Sequence, residues 1–297
     1  MLSSENMLFS AITSDLARRY GSGFKILGTV PLSGGSIHRS CKLSTSAGNF
    51  FLKWSHSAAP DIFVREAESL QTLSAVKPNS LIIPSVVAAT AIGQQPGYLL
   101  LEYLEAGRVG DDDALLGRGV AELHLHQGSS RFGFFHNNYC GATEQDNRWS
   151  ENWPEFYAQN RIGSLILRLS GANEMMSSHL GLFNRFISKI PQLLPEGQRP
   201  SLIHGDLWSG NFLYTTSGPA LVDPAAYFAD REMELGIMTL FGGFSNDFWA
   251  GYQEIFPLEP GWRSRAEIYQ VYHLLNHHLL FGGSYLTSAL HIVQRYM

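Results

Sequence analysis

The residues best suited to chemistry lie between positions 202 and 225, in the segment LIHGDLWSGNFLYTTSGPALVDPA. Asp206 and Asn211 stand five positions apart between two strand-like runs, and Asp223 ends a third run seventeen positions after Asp206. In phosphoryl-transfer sites of the protein-kinase type, one aspartate accepts the hydroxyl proton, and an asparagine and a second aspartate bind Mg²⁺. The spacing therefore predicts Asp206 as the catalytic carboxylate and Asn211 and Asp223 as Mg²⁺ ligands.

The types of these three residues agree with this chemistry. Transfer of a γ-phosphoryl group from ATP needs a metal ion to neutralise charge, and Mg²⁺ prefers hard oxygen ligands. Any one of the three residues alone would more often be a polar turn residue. The complete string, with its strand-like flanks and matched spacing, favours the phosphoryl-transfer site.

A cationic side chain is also needed to position the phosphates of ATP. Lys53 lies near the end of the strand-like run NFFLKW, and Glu66 follows thirteen residues later on a predicted helix. A strand lysine paired with a helix glutamate is the arrangement found in kinases. Glu68 is the rival partner, but Glu66 lies beside the apolar stripe of the helix, whereas Glu68 is turned further toward solvent. A single lysine is more often solvated, so only the order Lys, Glu, Asp, Asn, Asp supports this role.

Two weaker features complete the predicted ATP site. Gly34, Gly35 and Ser36 form a turn whose backbone N–H groups could approach phosphates, although such a turn is usually only a hairpin connection. Glu102 and Leu104 follow the last strand of the first half, where backbone groups could bind an adenine ring. The prediction for Glu102 and Leu104 rests on position alone.

Short alternating runs predict strands, and apolar residues at helical spacing predict helices. An amphipathic helix comes first and a second helix covers 62–76, with strands predicted over 24–31, 37–44, 49–54, 85–91 and 98–101. After the polar stretch EAGRVGDDD, helices are predicted over 113–126, 153–169, 174–190 and 263–296, with a β-like insert at 201–204, 211–214 and 220–222. The sequence predicts an α+β, two-lobed protein-kinase-like fold. A small antiparallel-sheet lobe with a helix is expected over 1–102, and a larger, mainly helical lobe over 103–297.

Composition narrows the range of partners. The chain has 297 residues, 44% of them hydrophobic, and a net charge of −5. It can therefore bury a large core, and it offers no electrostatic reason to bind nucleic acid or an anionic membrane. The N-terminus reads as a helix rather than a secretion signal, and no later run is apolar for the about 18 residues that a membrane span needs. Cys41 and Cys140 form neither a disulfide framework nor a metal-ligand spacing, which favours the cytoplasm. A small-molecule partner is expected.

Several strings resemble those of the fructosamine kinases, also called ketosamine kinases. The match includes HGDLWSGN at 204–211, VDPA at 222–225, DREMELGIMTLFGGF at 230–244 and YHLLNH at 272–277. Shorter strings such as SGGSI, FLKW, REAESLQTL, NYCGAT and NRWSENWPEFY extend the resemblance over nearly the whole chain. The pattern HGDxxxxN alone is shared with aminoglycoside and choline phosphotransferases, whereas the set DLWSGN, DPA and LFGGF is much more specific to the fructosamine kinases.

The resemblance implies a two-lobed kinase-like fold, dependence on ATP and Mg²⁺, and phosphorylation of ketosamines at the sugar 3-hydroxyl. The chain departs from the family pattern at three positions. Ser36 stands where some relatives carry a cysteine, so a redox switch in that loop is not expected. His38 replaces an expected Asn, and Glu234 replaces an expected Asp. A longer Glu can keep the same contacts, so the geometry rather than the activity is in question there.

Two further groups of residues have alternative roles. Trp208, two residues after Asp206, could stack on the apolar face of a sugar or could pack beneath the loop as a core residue. His273 and His277 are one helical turn apart, a spacing that could bind a metal ion. Because no third ligand is evident in the sequence, core or surface positions are expected for both histidines.

Two other functions are alternatives to a ketosamine kinase. An aminoglycoside phosphotransferase would benefit from acidic patches that bind a polycation, but the acidic run at 111–113 is short and is expected to start a helix. A pseudokinase would lack a base, a lysine or a metal ligand, and the sequence offers a candidate for each. The acceptor and the oligomeric state stay open at this point.

Overall fold

The computed structural model describes residues 4–32, 38–172 and 175–297. The described residues of the N-terminal part form two helices and five strands: α1 Ser4–Tyr20, β1 Ile26–Pro31, β2 Arg39–Thr45, β3 Gly48–Ser55, α2 Ile62–Ala75, β4 Val86–Ala89 and β5 Gly97–Glu102. The strands form one antiparallel sheet in the order β1-β2-β3-β5-β4. The predicted strands and the predicted helix at 62–76 therefore exist, with ends that differ by at most two residues.

The two faces of this sheet pack against different helices. Leu52 on β3 belongs to the apolar cluster that contains Leu8, Ile12 and Leu16 of α1. Because successive side chains of a strand point to opposite faces, the neighbouring Lys53 is directed to the other face, where α2 lies. The alternation of β3 thus places Lys53 on the α2 side.

The rest of the described chain is mainly helical. Its helices are α3 Asp112–Leu125, α4 Trp153–Phe156, a π-helical segment Tyr157–Gly163, α5 Ser164–Gly171, α6 Ser177–Leu193, α7 Arg231–Phe241, α8 Asn246–Ile255, α9 Trp262–Phe281 and α10 Tyr285–Arg295. Its strands are β6 Asn138–Cys140, β7 Thr143–Gln145, β8 Ser201–Ile203, β9 Phe212–Thr215, β10 Gly218–Leu221 and β11 Tyr227–Ala229. The short strands pair as β6 with β7, β8 with β11 and β9 with β10, all antiparallel.

Several helices differ from the sequence prediction. The region 263–296 is two helices, because the chain turns at Gly282 and Gly283, whose φ angles of 67° and 73° suit glycine and end α9. The segment 153–169 contains a π-helical turn that apolar spacing does not reveal. Helices α7 and α8 were not predicted, although Asp230 and Ser245 cap their first turns by accepting N–H bonds. The predicted start of a helix at residue 174 lies outside the described residues.

One continuous apolar core joins α2 to the C-terminal helices, with members from Ile62 to Val293. A smaller core lies between α1 and the outer face of the sheet. The division into lobes at residues 102 and 103 coincides with the end of β5 and stays a prediction. Among the described residues, no helix combines the length and the apolar character that crossing a bilayer requires.

Candidate active site

The predicted catalytic segment is a loop between β8 and β9. β8 ends at Ile203, and His204, Gly205 and Asp206 follow immediately. Gly205 has a φ of 86°, and a Cβ there would lie 2.1 Å from the carbonyl oxygen of Ala225. Only glycine fits this backbone, since it allows the positive φ and the close approach together. The loop can therefore pass directly beside the chain that follows Asp223.

Glu234, in the first turn of α7, holds this loop from below. Its two carboxylate oxygens accept hydrogen bonds from the backbone N–H groups of His204 at 2.7 Å and Gly205 at 2.8 Å. The ring of His124 on α3 lies 3.2 Å from the same carboxylate. Burial acts to raise the pKa of Glu234, but the contacts with His124 and His204 outweigh it and hold the pKa below its usual value. The carboxylate is thus ionised and fixes the backbone just before Asp206.

Asp206 lies beside Asn211 and Cys140. The amide Nδ2 of Asn211 donates to the backbone oxygen of Asp206 at 2.8 Å and to its carboxylate Oδ2 at 3.3 Å. The Cys140 thiol also forms a side-chain hydrogen bond with this carboxylate. Burial and, second, repulsion from Asp223 raise the pKa of Asp206 to about 8. Burial and the neighbouring Asp223 therefore disfavour the ionised form of Asp206 near neutral pH as long as no cation lies beside it.

Lys53 bridges two carboxylates from different elements. Its Nζ lies 3.0 Å and 2.9 Å from the two oxygens of Glu66 on α2, and 3.1 Å from Oδ1 of Asp223. Glu68, the rival partner, instead contacts Arg65 at 2.8 Å. The structure thus pairs Lys53 with Glu66 and brings this ion pair to Asp223.

Burial is the largest influence on the pKa of each group in this ion triad. It acts to lower the pKa of Lys53, but Asp223 and Glu66 outweigh it and raise that pKa. Burial acts to raise the pKa of Asp223, but Lys53 keeps it below the usual value. For Glu66, burial prevails over Lys53 and raises the pKa to about 7. Lys53 is therefore a cation and Asp223 an anion near neutral pH.

Asp223 has a backbone conformation that non-glycine residues rarely adopt, with a φ of 56°. Such strain is concentrated at functional sites, where the surrounding structure maintains it. The backbone N–H of the preceding Val222 donates to the carbonyl of Asn211 at 3.0 Å, which keeps the two predicted metal ligands adjacent. Since Nδ2 of Asn211 is bonded to Asp206, its Oδ1 is the amide atom that can bind a cation.

The donor set fits Mg²⁺. An ionised carboxylate from Asp223 and an amide oxygen from Asn211 are the hard oxygen ligands that this ion prefers. A cation there would also offset the repulsion from Asp223, which after burial is the second cause of the raised pKa of Asp206.

The candidate catalytic and binding groups share one cavity of about 320 Å³. Lys53, Glu66, Asp206, Asn211 and Asp223 line it. Its remaining lining is mostly supplied by the β6–β7 hairpin and the end of α9, among them Asn138, Tyr139, Cys140, Gly141, Asn276, His277, Leu280 and Phe281. The cavity therefore has a charged half and an aromatic half.

Trp208 lines this cavity and is half-buried. Its ring packs on Gly210, where an added Cβ would lie 2.4 Å from the indole, and meets Phe241 edge-on at 6.5 Å between ring centroids. One side of the indole thus supports the loop while another borders the cavity. Both roles considered from the sequence are compatible with this position.

The structure does not place the other predicted ATP-binding residues on this cavity. Glu102 ends β5, and its carboxylate accepts the backbone N–H of Ser85 at 2.8 Å. Glu102 and Leu104 are not among the described residues that line the cavity. Gly34, Gly35 and Ser36 fall outside the described part of the chain, so the predicted phosphate-binding loop stays a prediction.

The β6–β7 hairpin supplies site residues that the sequence analysis did not identify. Asn138 Nδ2 donates to the carbonyl of Ala226 at 2.8 Å, and Gln145 Nε2 donates to that of Ala225 at 3.2 Å. These bonds anchor the chain just after Asp223. The only signal in the sequence was the string NYCGAT, which carried no chemistry of its own.

Comparison with known proteins identifies the family. A family model described as fructosamine kinase matches residues 8–297. A relative from Synechocystis sp. named "Probable ketoamine kinase" is 35% identical over 286 residues, which cover 95% of this chain and 94% of that protein. The chain belongs to the fructosamine kinase family.

Solved structures agree with this assignment. A "Putative fructosamine-3-kinase" from Haemophilus somnus is similar to this chain with a TM-score of 0.85 and 26% identity, and the match covers 97% of both chains. The aminoglycoside phosphotransferase APH(4)-Ia has a TM-score of 0.61 at 16% identity over 96% of this chain and 98% of its own, which shows a shared fold alone. The resemblance and the fold class inferred from the sequence are confirmed.

The two departures from the fructosamine kinase pattern that the structure describes can now be located. Glu234 makes both backbone contacts described above, so the longer side chain preserves the loop. His38 lines the cavity with its ring 5.1 Å from that of Phe63. Burial first, and then the charge of Lys53, lower the pKa of His38 to about 4. His38 is therefore a neutral side chain near neutral pH.

The ion pair of this fructosamine kinase provides a test with a matched control on the same helix. Glu66→Gln should lower kcat/KM by a factor equivalent to about 1.5–3 kcal/mol, the value of a hydrogen bond to a charged group. Glu68→Gln removes an equal charge outside the cavity and should stay within about 0.5 kcal/mol of wild type. Steady-state kinetics with ATP as the varied substrate measures both. Equal rates for the two variants would show that Lys53 does not need Glu66.

Proposed function

We propose that this chain is an ATP- and Mg²⁺-dependent kinase that transfers the γ-phosphoryl group to a sugar hydroxyl of a ketosamine. The acceptor is a small fructosamine or the glycated lysine of a protein. The observation that carries the proposal is the convergence of Lys53, Asp206, Asn211 and Asp223 on one cavity in a member of the fructosamine kinase family. The relative "Probable ketoamine kinase" and the solved "Putative fructosamine-3-kinase" support the ketosamine as acceptor.

In this proposal each polar residue has one role. Asp206 accepts the proton of the attacking sugar hydroxyl, and its hydrogen bond with Asn211 fixes the direction of the carboxylate. Lys53 binds the phosphates of ATP, and Glu66 holds the ammonium in place. Asn211 and Asp223 would hold Mg²⁺, which neutralises charge on the transferred phosphoryl group when it is bound.

The aromatic half of the cavity is the proposed acceptor site. It is lined by Trp208, Phe241, His277, Phe281 and Tyr285. The rings of Phe241 and His277 lie 4.6 Å apart, and those of His277 and Tyr285 lie 5.3 Å apart. An aromatic surface of this kind binds the apolar face of a sugar while its hydroxyl groups point to polar residues. Such binding would orient one hydroxyl toward Asp206.

The adenine and phosphate contacts beyond Lys53 remain part of the proposal. Backbone groups at Glu102 and Leu104 would bind the adenine ring, and Gly34, Gly35 and Ser36 would cover the phosphates. This division of roles assigns ATP to the lobe 1–102 and the acceptor to the lobe 103–297. The two cysteines are buried and free, which supports action in the reducing cytoplasm. The net charge of −5 favours a partner that is neither nucleic acid nor an anionic membrane.

ATP consumption against a panel of acceptors tests the function. Fructosamines, ribulosamines and aminoglycosides such as kanamycin should be compared at equal concentration, with the phosphorylated position determined for the best acceptor. A ketosamine is expected to give the highest kcat/KM, with phosphate on the sugar 3-hydroxyl. Kanamycin phosphorylated at least as efficiently as any ketosamine would replace this proposal with the aminoglycoside alternative. Absence of turnover with every acceptor would favour a pseudokinase.

Trp208 provides the test of the acceptor site. Trp208→Ala should lower kcat/KM for the sugar acceptor by about 1–3 kcal/mol, because stacking and orientation are lost. Little change in ATP affinity is expected. Trp249→Ala is the matched control, since Trp249 is also half-buried but packs on Trp262 at 5.3 Å between ring centroids. A Trp208 variant with unchanged acceptor kinetics would assign the indole to loop packing alone.

A further inference from the structure

Three side chains that could bind a metal ion lie close together beside the cavity, which two of them, Cys140 and Asp206, also line. Cys140 comes from the end of β6, His273 from the middle of α9, and Asp206 from the loop after β8. One ligand atom from each lies within 4.8 Å of the other two. The sequence distances between them are large, so their proximity results from the fold.

Of the three side chains, the imidazole of His273 would be stabilised most by a bound cation. Its side chain is 1% exposed, and neither ring nitrogen has a hydrogen-bond partner among the described residues. Buried polar groups are normally hydrogen-bonded, and a fully unsatisfied imidazole is expensive to maintain. Burial, followed by the neighbouring His277 and Arg161, keeps the pKa of His273 well below its usual value. The ring is therefore neutral and has a lone pair available for a cation.

Asn276 adds a fourth donor next to Cys140. Its Nδ2 lies 3.3 Å from the Cys140 sulfur, and its Oδ1 is buried with no hydrogen-bond partner in the described chain. A half-turn of the amide would place Oδ1 beside the sulfur, because the two amide atoms exchange positions, and it would break the 3.3 Å contact of Nδ2 with the Cys140 backbone oxygen. The His273 ring and the Asn276 amide, two buried groups with atoms that lack hydrogen bonds, thus both lie near Cys140.

The donor set selects a particular class of metal ion. Thiolate and imidazole ligands suit borderline-soft ions such as Zn²⁺, whereas Mg²⁺ prefers oxygen ligands at Asn211 and Asp223. Zinc bond lengths place tetrahedral ligand atoms about 3.5 Å apart, so small side-chain rotations would close the observed cluster around an ion. Many zinc sites have three protein ligands and a fourth position that binds water or substrate. Here the fourth position would face the cavity or Asn276.

We propose that Cys140, His273 and Asp206 form a binding site for a borderline-soft divalent cation such as Zn²⁺, and that this ion inhibits phosphoryl transfer. Binding displaces the thiol proton of Cys140 to solvent and forms a sulfur–metal bond, with no change in oxidation state. The ion also occupies a carboxylate oxygen of Asp206. The inhibition rests on the proposed role of Asp206 as proton acceptor, whereas the binding itself does not.

Cobalt(II) is the probe for binding, because it occupies zinc sites and a thiolate ligand gives it a charge-transfer absorption band in the near ultraviolet. The intact wild-type chain, purified without metal, should show this band on titration with Co²⁺ and lose it on addition of Zn²⁺. Cys140→Ser should abolish the band, and His273→Gln should weaken Co²⁺ binding by at least about 100-fold, since loss of even an outer partner of a metal ligand costs 10- to 100-fold. Cys41→Ser is the matched control, since Cys41 is buried in the N-terminal cluster; it should keep the band.

Inhibition is measured separately as the ratio of rates with and without Zn²⁺ at saturating Mg²⁺-ATP, each variant being compared with its own uninhibited rate. Wild type and Cys41→Ser should be inhibited at the same Zn²⁺ concentration, and Cys140→Ser should need at least about 100-fold more. Absence of a thiolate band in wild type, or a band that persists in Cys140→Ser, would overturn the site. A band without inhibition would overturn the inhibitory role and leave the binding site standing. Failure of the ketosamine assay would leave the Co²⁺ result unaffected.

Discussion

Asp206→Asn is expected to reduce kcat by about 10²- to 10⁴-fold, the usual contribution of a positioned proton acceptor. Asparagine keeps the shape of the side chain but cannot accept the hydroxyl proton, so the affinity for ATP should stay near that of wild type. Single-turnover kinetics and a nucleotide-binding titration measure the two quantities. Asp247→Asn, at an exposed carboxylate in the first turn of α8, is the control and should keep full activity.

The same variant should change the pH dependence of stability in a defined direction. The pKa of Asp206 is raised from 3.8 to about 8, so its carboxylate costs stability that grows as pH rises from about 4 to about 8. Asparagine lacks this cost. Without divalent cations, the Tm of Asp206→Asn relative to wild type should therefore increase across this pH range. More than a few per cent residual activity, or a Tm difference that falls with pH, would contradict the assignment of a buried, catalytic carboxylate.

Asp223→Ala is expected to remove the dependence of ATP affinity on Mg²⁺. Wild type should bind ATP more tightly with Mg²⁺ than without it, because the Asp223 carboxylate would hold the ion that neutralises the phosphate charge. The variant should lose at least about 100-fold in Mg²⁺-ATP affinity, since even loss of an outer partner of a metal ligand costs 10- to 100-fold. Calorimetric titration with and without Mg²⁺ measures this difference.

Two controls separate metal binding from folding in that experiment. Asp223→Asn tolerates the φ of 56° and keeps one oxygen ligand, so an intermediate loss of affinity is expected. Asp111→Ala removes an exposed carboxylate before α3 and should bind Mg²⁺-ATP like wild type. Equal Mg²⁺-ATP affinity in Asp223→Ala and wild type would exclude Asp223 as a ligand.

The charged half of the site was predictable because local chemistry and spacing constrain it. Asp206, Asn211 and Asp223 lie within a short segment whose strand-like flanks form real strands, and the structure places all three on one cavity. The pairing of Lys53 with Glu66 followed from the order of a strand lysine before a helix glutamate and from helix periodicity, which are short-range properties. Their catalytic and binding roles remain predictions that the variants above test.

Features that depend on contacts between distant parts of the chain could not be predicted from local sequence. The sequence marks Glu234 only as a departure from the family pattern. Its carboxylate can accept the backbone N–H groups before Asp206 only because α7 packs against β8. The β6–β7 hairpin is too short to stand out by periodicity, yet it anchors the backbone after Asp223. The π-helical segment 157–163 and the break at Gly282 likewise depend on packing and backbone detail rather than on apolar spacing.

The sequence by itself determined the family, the fold class and the order of the chemical groups. Those properties are carried by residue types at fixed separations along the chain, which folding does not alter. Only the tertiary structure decided which neighbours each group has. The spacing of one helical turn pairs His273 with His277, but Nδ1 of His277 lies 2.9 Å from the backbone carbonyl of His273. A ring nitrogen of His273 instead lies within 4.8 Å of ligand atoms of Cys140 and Asp206. The packing of α9 against the hairpin and the catalytic loop sets those contacts, because burial and unsatisfied polar atoms arise only when distant segments exclude water together.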